Sequence, residues 1–153
     1  MKKVLMIAML ALVAVACNKD QKAVKKLDGT WEQTSFKIFY GGASFELVGT
    51  EGFPTTTYTF NKCKLKDEEF CEGSITNSYE GTSVTENILY RVTGDGTKLE
   101  YKEDTSSETI TQITIDELTK EEATLEVDTE FVVGEGEDAE VIEIVATVKL
   151  EKK

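Results

Sequence analysis

The 153-residue chain contains no histidine. Ser-His-Asp and Cys-His nucleophile activation are thereby excluded, along with the commonest metal ligand and the usual base for neutral pH. Carboxylate chemistry is all that remains, and glycoside hydrolysis needs only an Asp/Glu pair. With 29 acidic residues such pairs occur everywhere and identify nothing. No enzymatic activity is expected and no catalytic residue is assigned. Basic residues are scarce, 17 against those 29, for a formal net charge of −12. Nucleic-acid binding draws most of its affinity from phosphate neutralisation by Lys and Arg, so neither DNA nor RNA is expected as a partner. Proline occurs once, at Pro54, after the loop-like stretch Gly49 to Phe53, where it removes no ladder hydrogen bond. The apolar run from Val4 to Ala16 falls short of the about 20 residues that a transmembrane helix needs.

That run has a different meaning. Lys2 and Lys3 precede it, and the small-residue stretch Ala14-Val15-Ala16 closes it immediately before Cys17. A positive n-region, an apolar h-region and a small-residue cleavage site make a secretory signal. Ala14-Val15-Ala16 also satisfies the rule of the ordinary signal peptidase, which would leave Cys17 as a plain first residue. The cysteine at the cut favours lipidation, because a free thiol there is a liability and a diacylglyceryl thioether is an anchor. The segment resembles a bacterial lipobox, with Ala14 where leucine is more frequent. Several acyl chains on one residue hold firmly where one binds only marginally, so the expected partner is a membrane, held through lipid on Cys17. Asn18 stands where the retention signal of Gram-negative lipoproteins has Asp. Resemblance to that sorting system implies the outer membrane of the cell envelope and leaves the leaflet open.

Three segments follow: a signal peptide 1–16, a lipid-anchored polar tether 17–26, and a domain 27–153. Removing 16 of 153 residues leaves 137, enough for one domain with a usable core. Charge divides unevenly. Cys17 to Lys26 carry four lysines and one aspartate, net +3, whereas the remainder carries eleven Lys/Arg and 28 Asp/Glu, net −17. A basic tether can rest on anionic head groups at about 1 kcal/mol per lysine, or it is simply a solvated linker. Only Gln21 to Leu27 has a helical pattern, one turn of lid or spacer.

The domain reads as β throughout. Phe36, Ile38 and Tyr40 share one parity, Tyr58 and Phe60 alternate with threonine, and Val84 to Val92 keep a period of two. So do Leu99 and Tyr101, Ile113 and Ile115, Ala123 to Val127, and Ile142 to Leu150. Period two with one apolar face means half-buried antiparallel strands. Gly41-Gly42, Gly94-Asp95-Gly96 and Gly134-Glu135-Gly136 supply hairpin chemistry between them. Eight or nine strands with short connections are expected to close as an up-and-down antiparallel barrel, which leaves no edges. A two-sheet sandwich would use the same strands with longer crossovers.

Leu27-Asp28-Gly29-Thr30-Trp31 opens the first strand with Gly-x-Trp, and Ile113 to Glu126 form a strand, an acidic turn and a second strand. On these two segments the chain resembles the lipocalin-like domain lipoproteins of Bacteroidetes type. The resemblance implies a lipocalin-like barrel whose tryptophan plugs the closed end. Lipocalins stack a C-terminal arginine on that ring, and the only arginine here is mid-chain Arg91. Lys149 is the expected substitute, a cation over the indole.

Cys63 and Cys71 flank a polar centre at Asp67. If the chain reverses there, the two thiols oppose each other in an oxidising compartment and form a disulfide. Zinc and C-x-x-C redox chemistry do not fit that spacing. Asp67-Glu68-Glu69 and Glu135 to Asp138 lack the alternating ligands of a calcium loop and read as solvated tips. No metal and no cofactor are expected. Two functions fit such a domain, expected to be monomeric. In one, the barrel binds a small hydrophobic ligand among Trp31, Phe36, Phe60, Tyr90 and Tyr101. In the other, a filled barrel presents its acidic outer face or loop tips, Glu137 and Asp138 among them, to a protein or glycan of the envelope.

Overall fold

The computed structural model describes residues 19–67, 69–103, 105–133 and 140–153. Cys17, Glu68, the Gly134-Glu135-Gly136 turn, Glu137 and Asp138 lie outside the described residues. A helix, α1, covers residues 19–27. Nine strands follow: β1 Gly29–Tyr40, β2 Ala43–Glu46, β3 Thr55–Phe60, β4 Cys71–Tyr79, β5 Thr82–Thr93, β6 Lys98–Lys102, β7 Thr111–Leu118, β8 Glu122–Val133 and β9 Glu140–Lys152. Every pairing is antiparallel between neighbours, and β1 also pairs with β9 from Trp31↔Lys152 to Phe39↔Val145. Eight strands therefore close an up-and-down barrel, as the alternation predicts. The ninth, β2, is a short flap on the upper half of β1, in register from Lys37↔Glu46 to Tyr40↔Ala43; β3 takes the lower half, from Gly29↔Phe60 to Glu32↔Thr57.

Alternation fails at two places, and both are bulges. Register shifts between Gln33 and Ser35 in β1, and between Ile115 and Glu117 in β7. The extra residue moves the inward parity from Trp31 and Gln33 to Phe36 and Ile38, so β1 curves without turning its apolar face outward. Glu46 holds this bulge. Its carboxylate accepts from Ser35 Oγ at 2.5 Å, from the Phe36 N–H at 2.8 Å and from the Val48 N–H at 3.1 Å. Desolvation pushes this carboxyl's pKa up, but those hydrogen bonds and nearby Lys37 outweigh it and leave the group below its ordinary value.

The expected 17–26 tether takes a different form over its described part. Residues 19–26 belong to α1, which closes one end of the barrel with Ala23, Val24 and Leu27 buried. Three loops hold α1 in place. Gln21 donates to the Cys63 carbonyl and accepts from the Leu65 N–H, Asp20 accepts from the Gly96 N–H at 2.6 Å, and Lys26 donates to the Leu118 carbonyl. Composition concealed this, because four lysines outnumber the three apolar residues that face inward.

The turn Gly94-Asp95-Gly96 joins β5 to β6 with all three residues in the left-handed region, φ 63°, 61° and 86°. Only glycine enters that region freely, and aspartate is among the few others that tolerate it. Cys63 and Cys71 form a disulfide with Cα atoms 5.4 Å apart. It spans the 61–70 connection between β3 and β4, where the Asp67 N–H bonds the Lys64 carbonyl. Closing so short a loop contributes on the order of 2.5 kcal/mol in the chain-entropy model.

Candidate ligand-binding site

The barrel interior divides into a plug and a cavity. At the closed end Trp31, with no solvent exposure, donates its indole N–H to the Leu27 carbonyl at 2.6 Å. Lys152 places its ammonium 5.3 Å from the indole centre. Lys149, the expected cation, is exposed on the outer parity of β9, because Trp31 is in register with Lys152 and the bulge offsets the strands above it. Gly29 makes this arrangement feasible. Its φ is +125°, and a Cβ there would lie 2.7 Å from Lys152 Cε.

Phe60 and Tyr90 form the next layer, ring edge to ring face with centroids 5.0 Å apart. Both are buried against Gly73, which pairs with Phe60 on one side and Ile88 on the other. A Cβ on Gly73 would meet the Thr59 carbonyl oxygen at 2.8 Å and the Tyr90 ring at 3.4 Å. The glycine thus leaves the space that these rings fill, a requirement that the sequence does not signal. Tyr90 donates its hydroxyl to the Asn61 carbonyl; burial, and then the charge of Asp28, push its pKa up.

Toward the other end lies an apolar cavity of about 210 Å³. Phe36, Phe60 and Tyr101 line it, together with Tyr58, Ile75, Ile88, Leu99, Ile113, Leu125, Val127 and Val148. Three of the five expected ligand-binding residues are therefore brought together. Trp31 and Tyr90 are not among the lining residues; both are fully buried and fill the closed end. Alternation alone sets Trp31 and Phe36, five residues apart on β1, on opposite faces; the bulge between Gln33 and Ser35 brings both inward. Tyr58, absent from the expected set, brings the cavity a polar handle, its hydroxyl donating to Gln33 Oε1 at 3.1 Å. Burial, with a smaller contribution from Tyr101, pushes the Tyr58 pKa up to about 12, so the phenol is neutral at physiological pH.

The open end is apolar at its rim. Phe39, Tyr40 and Phe45 of the β1–β2 flap, Tyr79 and Val84 of the β4–β5 hairpin, and Ile110 before β7 are each more than two-fifths exposed. The loop after β2 folds back so that Phe53 packs on Phe36, ring centroids 5.5 Å apart, at the cavity wall. A second space, about 450 Å³, is a solvent-open groove on the outside of β4 and β5, lined by polar residues such as Glu72, Ser74, Asn87 and Glu103. Among the described residues, no three Cys, Asp or Glu side chains are grouped to hold a metal ion, and no helix is long and apolar enough to cross a membrane.

Arg91 lies on the outer face. It bonds Glu100 at 2.7 Å and Glu69 at 2.8 Å, and stacks with Lys102 on Phe70, each cation 4.6 Å from the ring centre. The sole arginine therefore braces β5, β6 and the disulfide loop, away from Trp31.

No family model, curated protein or solved structure matches this chain.

Proposed function

We propose that this chain is a lipocalin-like lipoprotein of the outer membrane, moored through acylated Cys17, whose barrel binds a small apolar ligand. One observation supports the ligand above all: an apolar cavity of about 210 Å³ inside a closed barrel that is otherwise packed. Natural interiors leave few voids larger than a water molecule, and a lining this apolar offers water few partners, which favours an apolar occupant. Its volume also sets the ligand class. A cavity of about 150 Å³ accepts benzene, and drug-sized ligands need about 300 Å³ or more. The cargo is then a one- or two-ring apolar molecule, or the end of an alkyl chain that enters past the exposed rim. Tyr58 and Gln33 offer that ligand its one polar contact.

Calorimetric titration of the membrane-extracted protein with naphthalene and with octanoate tests this reading. Binding to wild type that is lost in Ile75→Phe, which fills the cavity from β4, supports it. Failure of both probes to bind wild type overturns it. Intact-mass analysis of the same preparation, with and without Cys17→Ser, tests the anchor: an acyl-sized mass increment on wild type alone is expected.

The exposed rim favours a second reading, a filled barrel that presents its mouth to an envelope protein, since contiguous exposed apolar surface marks interaction sites. Phe39→Ser with Phe45→Ser would abolish such an association and leave ligand binding unchanged.

A further inference from the structure

We infer that the barrel rests closed end down on an anionic lipid surface, docked through the lysine face of α1, with its mouth pointing away from the membrane that anchors it. This rests on the lipoprotein reading above and adds the orientation.

Two independent observations lead to it. The first is charge. At 3.6 residues per turn, Lys22 and Lys25 lie on the side of α1 opposite buried Ala23, Val24 and Leu27, with Lys19 and Lys26 on its flank. All four lysines are exposed. Lys19 pairs with Asp95 at 3.3 Å and Lys26 caps the Leu118 carbonyl. Lys22 and Lys25 have no ion pair or hydrogen bond among the described residues. The loops around α1 add Lys64 and Lys120 at the same end, together with Lys62 and Lys66, which pair with Asp28 and Asp67. Acidic Asp95 and Asp116 line one groove with Lys19, Lys22 and Lys26. A domain of strong negative charge thus exposes, on the outer side of α1, two lysines that no described carboxylate pairs, Lys22 and Lys25.

The second observation is where the chain enters. Cys17 precedes Lys19 by two residues, and successive Cα atoms are 3.8 Å apart, so the backbone that carries the acyl group lies within about 8 Å of Lys19, the first described residue of α1. That residue is fixed to the barrel: the Lys19 carbonyl lies 3.4 Å from where a Gly96 Cβ would stand, and the neighbouring Asp20 accepts from the Gly96 N–H. A tether this short cannot let the barrel turn over. The mouth lies at the far ends of 12-residue strands, roughly 30 Å away once tilted. The apolar rim then faces the aqueous space or an opposing surface, and ligand enters from there instead of from the anchoring leaflet.

The acylated wild-type protein, reconstituted into phosphatidylethanolamine–phosphatidylglycerol vesicles, can be labelled with a water-soluble amine acetylating reagent and read by peptide mass spectrometry. Relative to detergent, Lys22 and Lys25 should react at least about fivefold more slowly, the weight of one lysine held at an anionic surface, while Lys37 near the mouth reacts unchanged. In neutral phosphatidylcholine vesicles the protection should fall away. Lys22→Gln with Lys25→Gln, which breaks no internal contact, should return Lys19 and Lys26 to their detergent rates. Protection of Lys37 instead of the helix lysines, equal labelling of all of them, or equal protection on neutral vesicles overturns the inference. The intact mass separates the two readings: a sample without acyl chains fails the anchor, and an acylated sample with any of those labelling patterns fails only the orientation.

Discussion

The indole N–H of Trp31 bonds the carbonyl of Leu27 at 2.6 Å, joining the first strand of the barrel to the last turn of the helix that closes it. Both residues are fully buried, so neither group has water as an alternative partner. Trp31→Phe keeps an aromatic ring at the site but removes the donor and part of the buried volume. Leaving a buried carbonyl without its partner costs about 1–3 kcal/mol. The urea midpoint, followed by circular dichroism because the only tryptophan is lost, should fall accordingly; an unchanged midpoint would show that α1 closes the barrel without this bond.

Gly29→Ala should destabilise through two separable effects. The φ of +125° is one that L-residues rarely adopt, and the new Cβ meets Lys152 Cε at 2.7 Å. Backbone strain of this kind costs on the order of 1–3 kcal/mol. In a Lys152→Ala background the clash disappears and the strain stays, so the second measurement should recover part of the loss. Full recovery would refute the backbone account.

Tyrosine ionisation sets the alkaline limit. The Tyr58 pKa is raised from 10.0 to about 12 by burial, and that of Tyr90 is also raised. Between these values the folded state holds protons that the unfolded chain releases, so stability declines as pH rises above about 10. Urea midpoints measured across that range should fall, and Tyr58→Phe should flatten the decline. Phenolate absorbance should show the Tyr58 and Tyr90 hydroxyls unionised in the folded protein at pH 10.

Acid acts in the opposite sense. The Asp28 carboxylate accepts from both the ammonium and the backbone N–H of Lys62, at 3.0 and 3.1 Å. The side-chain hydrogen bond from Lys62, with its backbone bond and charge, outweighs desolvation and holds this pKa below 3.8. Such a group contributes stability above its unfolded pKa, and the contribution is lost as pH falls through the folded one. Stability should therefore drop below about pH 4, and Asp28→Asn should lower the neutral-pH midpoint and reduce that slope. An identical slope in the variant would exclude Asp28 as a source of the acid sensitivity.

Alternation of apolar and polar residues foretold antiparallel strands, and the short connections between them favoured a barrel over a two-sheet sandwich. The strands around Tyr90, Leu99, Leu125 and Val148 were all legible for that reason. The disulfide was legible from a polar centre midway between the two cysteines, taken with an oxidising compartment. The role of Gly73 was not, because a glycine needed for ring packing reads like any other until the facing strands are known. The helical pattern of Gln21 to Leu27 was legible as well, but its seat was not: Ala23, Val24 and Leu27 look sparse among lysines, yet they suffice once a barrel end is there to bury them.

Residue order alone thus determined which side chains share a face within each regular run of strand, because successive residues of a strand point to opposite sides. It could not say how far along the barrel each one lies. That depended on the two bulges, on which strands meet across the closure, and on where α1 seats, all of them contacts between residues distant in the chain. Register placed Trp31 and Tyr90 in the packed end and Phe36, Phe60 and Tyr101 around the cavity. It also put Lys152 instead of Lys149 over the indole.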